Sequence, residues 1–149
     1  MNIDILLEYQ LGFGDYSLVI DEENSVCYAY LKMHGVIVNH VWLYNRGESP
    51  NIAPWTQTGI DPPFKNSSEY ILDLNFQAPK SEDDFSISIL TENEESFNHV
   101  DILIKGICFG RFMWNIKPGY AKLSKSENRL AKPLSDLQNG KPLIHNVTL

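Results

Sequence analysis

The chain has 149 residues, of which 43% are hydrophobic and 21% charged, a balance typical of one soluble globular domain. Its apolar runs are far shorter than the roughly 20 residues that a membrane-spanning helix needs, and its start carries Asp4 and Glu8, unlike a secretory leader. We therefore expect a single cytoplasmic domain over residues 1–149 with no membrane contact.

The net charge of −7 is distributed unevenly along the sequence. Residues 1–104 hold 17 acidic and 4 basic side chains, net −13, whereas residues 105–149 hold 2 acidic and 8 basic ones, net +6. In one interpretation the basic C-terminal part covers an acidic sheet of the same chain. In the other, the acidic part faces a basic partner, because a field of one sign raises association rates roughly ten- to a thousandfold. The same acidity disfavours nucleic acid as a partner.

Alternation of apolar and polar residues dominates the first 114 residues and predicts β-strands. In chain order, the predicted strands are residues 2–9, 15–20, 25–33, 36–44, 69–76, 85–91, 98–105 and 107–114. The predicted fold class is mostly β, an antiparallel β-sandwich or strongly bent sheet of about seven to eight strands. Residues 1–114 are expected to form this β core, and residues 115–149 a loop-rich basic C-terminal cover.

The clearest hairpin joins the third and fourth predicted strands through His34 and Gly35, a two-residue loop whose glycine suits a primed turn. In the predicted register, Cys27 faces Trp42 on the side expected to form the core. Gly110 lies within the last predicted strand, where a glycine indicates a close backbone approach.

Residues 41–64, VWLYNRGESPNIAPWTQTGIDPPF, hold two tryptophans, a tyrosine, an arginine and four prolines in a largely irregular stretch. Long loops rich in aromatic rings and guanidinium groups are typical of recognition surfaces. Tyr44, Arg46 and Trp55 are therefore candidate partner-binding residues. Alternatively, Arg46 binds a carboxylate of the same chain, Glu48 or a distant acid, and Trp55 pins the loop to the sheet. The rival interpretation is a pocket at this loop for a small molecule or carbohydrate, in a binding protein or an enzyme.

Two acidic clusters are further candidates for the partner-binding surface. They are Glu82, Asp83 and Asp84 in one turn, and Glu92, Glu94 and Glu95 in another. Runs of like charge in turns stay hydrated, whereas general-acid catalysis needs a carboxyl group isolated in an apolar site. We interpret both clusters as solvated turns or as a binding face.

The sequence contains no motif for metal ligation, nucleophilic catalysis or phosphate binding. His40, His99 and Asp101 are the nearest approach to a ligand set across strands, and a structural role is favoured for both histidines. Cys27 and Cys108 lie in apolar runs and are predicted to be buried free thiols. No catalytic residue, metal or cofactor is predicted.

Several sequence blocks resemble a group of small uncharacterised bacterial proteins. The blocks are WLYNR at 42–46, Pro50, PW at 54–55, PPF at 62–64, ILIKG at 102–106 and KPGY at 117–120. By size, acidic balance and layout, the chain is also similar to immunity proteins, which neutralise secreted bacterial toxins by covering a basic active site with an acidic surface. That resemblance implies a non-enzymatic protein whose partner is a basic protein, with a secreted toxin as the candidate.

Overall fold

The structure is a computed structural model that describes residues 5–45, 77–94, 96–124, 127 and 129–138. Within these residues the chain is mostly β, which confirms the predicted fold class. The strands are β1 (Ile5–Gln10), β2 (Tyr16–Glu23), β3 (Val26–Met33), β4 (Val36–Asn45), β5 (Phe85–Thr91), β6 (Phe97–Ile104), β7 (Ile107–Met113), β8 (Tyr120–Ala121) and β9 (Lys132–Pro133), and one short helix, α1, spans Ser135–Gln138.

Two sheets enclose a shared apolar core in a sandwich-like arrangement. The first sheet has the order β1-β2-β3-β4 and the second β5-β6-β7-β8-β9, and every pair is antiparallel except β8 with β9. Apolar side chains of both sheets, such as Leu18 and Ile102, are fully buried in one cluster. Of the helices in the described ranges, none is long and apolar enough to cross a membrane.

Three hairpins turn on two residues that both have positive φ. The pairs are Asn24-Ser25, His34-Gly35 and Lys105-Gly106, with φ between 52° and 82°. Left-handed backbone at both positions defines the primed turn, whose twist matches that of the flanking strands. The primed turn predicted at His34 and Gly35 is confirmed.

The register of the β3–β4 hairpin differs from the prediction away from its turn. Two register shifts interrupt this pair, so that Cys27 lies opposite Tyr44 and Trp42 lies opposite Tyr28. The predicted pairing of Cys27 with Trp42 is therefore wrong. Such irregularities insert an unpaired residue into one strand, and a strict two-residue alternation cannot anticipate them. Trp42 is nevertheless buried, as predicted.

Gly110 in β7 permits a close approach of the two sheets. A Cβ atom at this position would lie 2.5 Å from Cδ2 of Leu43, whose side chain is fully buried. We expect Gly110→Ala to lower the free energy of unfolding by ~1–3 kcal/mol, because Leu43 must leave its packed position. Urea denaturation measures the loss, with Ser88→Ala on the exposed face as the control. A loss no larger than that of the control would contradict this packing.

The segment that follows β7 joins the two sheets along β4. The N–H of Gly119 donates to the carbonyl of His40 at 2.9 Å, and the N–H of Trp42 donates to the carbonyl of Leu130 at 2.9 Å. The side-chain amide of Asn39 donates to the carbonyl of Ile116 at 2.8 Å. These bonds make the segment part of the sandwich.

Two further predictions concern the strand at residues 69–76 and the end of the second strand. The strand predicted at residues 69–76 lies outside the described residues. The second predicted strand ends at residue 20, whereas β2 continues to Glu23 and the side chain of Glu22 is buried.

Candidate functional site

A groove of about 620 Å³ opens at one end of the sandwich. Tyr16 at the start of β2 and Phe97 at the start of β6 lie on it, as do Met33 at the end of β3 and Trp114 directly after β7. Its volume is in the range of ligand-binding clefts. It is formed by elements from both sheets and the turns beside them.

Trp114 presents a partly exposed ring in a fixed orientation. Its side chain is 39% exposed, and its ring centroid lies 5.1 Å from that of Phe97 and 6.1 Å from that of Tyr16, both in edge-to-face contacts. Phe97 and Tyr16 are buried and pack against Phe13. Because buried neighbours hold the ring, little conformational entropy remains to be lost when a ligand covers it.

The β3–β4 hairpin lines the groove with Met33 and Val38, and its tip next to the groove carries further exposed apolar side chains. Met33 is 36% exposed, Val36 63% and Ile37 54%. Among the described residues, six large apolar side chains are exposed, and with Trp114 four of them lie at this end. Clustered exposed apolar side chains mark interaction sites, whereas scattered ones are ordinary.

An acidic turn, residues 92–94 and 96, forms another wall. Asn93 and Ser96 line the groove, and the neighbouring Glu92 and Glu94 are exposed. The N–H of Glu92 donates to the carbonyl of Ser96 at 3.1 Å, and the N–H of Gly14 donates to the carbonyl of Glu94 at 3.0 Å. These bonds hold the backbone of two residues of one predicted cluster, Glu92 and Glu94, on either side of the groove-lining Asn93. Glu95, predicted with them, lies outside the described residues.

The other acidic cluster, Glu82, Asp83 and Asp84, lies at the far end of β5. It forms one 3-10 turn directly before β5, whereas the acidic turn directly follows that strand. Seven residues of strand separate the clusters by roughly 20 Å, so they form two surfaces. The N–H of Lys80 donates to Asp84 Oδ2 at 2.7 Å and holds the pKa of Asp84 below its usual value. Asp84 thus stabilises its own turn.

Tyr44 belongs to the core. Its side chain is fully buried and its hydroxyl donates to Oε1 of Glu22, which is also buried. Burial, with Cys27 and Glu22 nearby, raises the pKa of Tyr44. Tyr44 therefore presents no surface to a partner, which corrects its place among the predicted binding residues.

The remaining loop candidates, Arg46 and Trp55, lie outside the described residues. Their predicted roles in binding, and the pocket predicted at the loop of residues 41–64, stay predictions.

A buried ionic cluster lies on the outer face of the second sheet. Arg111 donates to both carboxylate oxygens of Asp101, from Nε at 2.6 Å and from Nη2 at 2.9 Å. Nε2 of His99 lies 3.7 Å from the same carboxylate, and Nδ1 of His99 is buried without a hydrogen-bond partner. His40 does not join this cluster, because its Nε2 lies 3.0 Å from the carbonyl of Arg129.

The chemistry available to these groups is limited. The described ranges contain no group of three or more His, Cys, Asp or Glu side chains that could hold a metal ion. Cys27 is a buried free thiol, as predicted, while Cys108 is free and only half-buried. Burial, with Asp101 nearby, raises the pKa of the Cys108 thiol to about 12. Cys108 is therefore protonated near neutral pH and lacks the thiolate that a cysteine nucleophile needs.

His99 makes the stability of the protein dependent on pH. Burial lowers the pKa of His99 and Arg111 lowers it further, against an opposing effect of Asp101. The unfolded chain therefore binds a proton at His99 more readily than the folded one, so stability falls as the pH falls below about 6.5. We expect the free energy of unfolding of His99→Gln to fall less between about pH 7 and pH 5 than that of the original chain. Urea denaturation at each pH measures it. Parallel losses in the two chains would contradict this.

Sequence reasoning missed the groove because its parts come from distant segments. One signal was present: Val36, Ile37 and Val38 are three consecutive apolar residues directly after a two-residue turn. Neighbouring residues of a strand face opposite sides, so such a run leaves apolar side chains exposed wherever one side faces solvent.

Comparison of the chain with protein-family models, with curated proteins and with solved structures finds no match. The resemblance to small bacterial proteins and the likeness to immunity proteins are not tested by these comparisons and stay hypotheses. Any functional conclusion therefore depends on the groove and its surroundings.

Proposed function

We propose that the protein is a non-enzymatic binding protein that captures a basic partner protein at the groove end of the sandwich. One observation carries the proposal: the fixed ring of Trp114, the apolar hairpin tip and the acidic turn all lie at this end. An apolar centre with a charged rim is the usual anatomy of a protein interface. The net charge of −13 in residues 1–104 favours a partner of opposite sign.

The class of partner follows from this charge. A protein with a basic surface gains association rate from the acidic field and affinity from covering the apolar side chains. A toxin with a basic active site is one such partner, in keeping with the likeness to immunity proteins.

Site-specific photo-crosslinking tests the location of the interface. A photoreactive residue at Val36, in the hairpin tip, is expected to capture a basic protein in cells of the source organism. The same residue at Ile107, which is 53% exposed at the opposite end of the second sheet, is the matched control. Capture of the same protein from Ile107 alone, or of acidic proteins alone from Val36, would contradict the proposal.

The two acidic clusters provide a second test with the purified partner. We expect Glu92→Gln combined with Glu94→Gln to slow association roughly tenfold at low salt, because these exposed residues flank the groove-lining Asn93. Glu82→Gln with Asp83→Asn removes the same charge at the far end of β5 and should have a smaller effect. Stopped-flow measurements of association against salt concentration compare the two. Equal slowing of association by the two double variants would mean that the acidic turn acts only through its charge and not through its position.

A small polar ligand is the second candidate function. Asn93, Asn115 and Lys117 line the groove together with Trp114, and aromatic rings with amide groups are suited to sugars. Ligand-observed NMR with a panel of oligosaccharides tests this function. Saturation transfer that disappears in Trp114→Ala would support it over protein capture.

A further inference from the structure

We infer that the groove binds a short linear segment of the partner in which one cationic side chain is adjacent to an apolar one, with Trp114 as the anchor. This inference rests on the proposed function and specifies what part of the partner enters the groove. It follows from the apolar surfaces, from the acidic turn and from the position of Lys117.

The apolar half of the segment is indicated by the two walls that flank the groove. Met33 and Val38 line one wall from the β3–β4 hairpin, and Trp114 lies on the other. A side chain inserted between them is desolvated on both sides, which is the setting in which a few residues provide most of the binding energy. The ring of Trp114 needs no rearrangement, since Phe97 and Tyr16 already fix it.

The cationic half is indicated by the surroundings of the Trp114 ring. The backbone N–H of Trp114 donates to the carbonyl of Asn98 in β6, so the residue lies next to the start of the strand that follows the acidic turn. A guanidinium or ammonium group over an indole face is attracted to the ring, and nearby carboxylates strengthen that attraction. Glu92 and Glu94 are exposed carboxylates at this end, and a third, Asp15, lies 2.6 Å from Nδ1 of His34 in the hairpin turn.

Lys117 limits the segment to one cation. It lines the groove on the side of β4, because the carbonyl of the neighbouring Ile116 accepts a hydrogen bond from Asn39 in that strand. A second positive charge beside the first would meet Lys117 and be repelled. The groove is therefore suited to a cation next to an apolar side chain and unsuited to a run of lysines or arginines.

Selection from a display library of random linear peptides tests this inference on the full chain. We expect the enriched peptides to carry one Arg or Lys adjacent to an aromatic or aliphatic residue. Their affinity should fall roughly tenfold or more in Trp114→Ala, recover in part in Trp114→Phe, and fall in Glu92→Gln with Glu94→Gln. Ile107→Ala, an exposed apolar site away from the groove, is the control and should bind normally.

Each other result has a defined meaning. Enriched peptides that are acidic, purely apolar or polybasic would overturn the inference, as would binding that survives Trp114→Ala. If no peptide is enriched while Val36 still cross-links a basic protein, the inference fails and the proposed function stands. If Val36 cross-links no basic protein, the proposed function itself fails. The glutamate variants keep the test independent of any loss of packing in Trp114→Ala.

Discussion

Replacing Arg111 with methionine is expected to lower the free energy of unfolding by ~3–5 kcal/mol, as breaking a buried ion pair does. Arg111 holds both oxygens of Asp101, at 2.6 and 2.9 Å, and the two side chains are only 15% and 11% exposed. Without Arg111, the Asp101 carboxylate stays buried and loses both of its charge-assisted hydrogen bonds. Urea denaturation at neutral pH measures the loss.

An exposed ion pair serves as the control for this experiment. Lys132 Nζ lies 3.2 Å from Glu127 Oε2, and Glu127 is 68% exposed, so Glu127→Gln should cost less than ~1 kcal/mol. Replacing both partners, Asp101→Leu with Arg111→Met, should recover most of the loss, because no buried charge then remains unpaired. A single Arg111→Met loss as small as that of Glu127→Gln would show that water reaches the pair.

Much of the fold could be predicted because its signals are local. The strand at residues 85–91 was predicted with the bounds that it has, since the alternation FSISILT is uninterrupted. The turn at His34-Gly35 followed from the ability of glycine to adopt positive φ. The pairing of Cys27 was wrong because register shifts depend on packing between strands, which the sequence of one strand does not encode.

The candidate site was harder to predict because burial is decided by the whole fold. Tyr44 was a candidate for partner binding because of its aromatic, proline-rich surroundings, yet its side chain is fully buried and its hydroxyl donates to Glu22. Both acidic clusters were equally acidic in sequence, and only their positions at opposite ends of β5 distinguish them. Trp114 is a candidate because β2, β3 and β6 meet beside it, and these strands are distant from one another in the sequence.

Removal of residues 116–149 is expected to abolish cooperative folding. The segment buries Leu123, Leu130 and Leu134, and each such side chain contributes ~2–5 kcal/mol when it is fully packed. Their sum is comparable with the ~5–15 kcal/mol that stabilises a typical domain, before the backbone hydrogen bonds to β4 are counted. Thermal melts followed by circular dichroism should show no cooperative transition in the shortened chain.

A charge-neutralised variant distinguishes two explanations of why the fold requires residues 116–149. In one interpretation of the sequence, the basic segment is held by attraction to an acidic sheet. Lys117→Gln with Lys122→Gln should then lower the free energy of unfolding strongly, and added salt should cause a similar loss in the original chain. The structure instead holds the segment by buried leucines and by backbone bonds from Gly119 and Trp42. We therefore expect the double variant to stay within ~1 kcal/mol of the original chain and Leu130→Ala alone to lose ~2–5 kcal/mol. The opposite order would make charge the force that docks the segment.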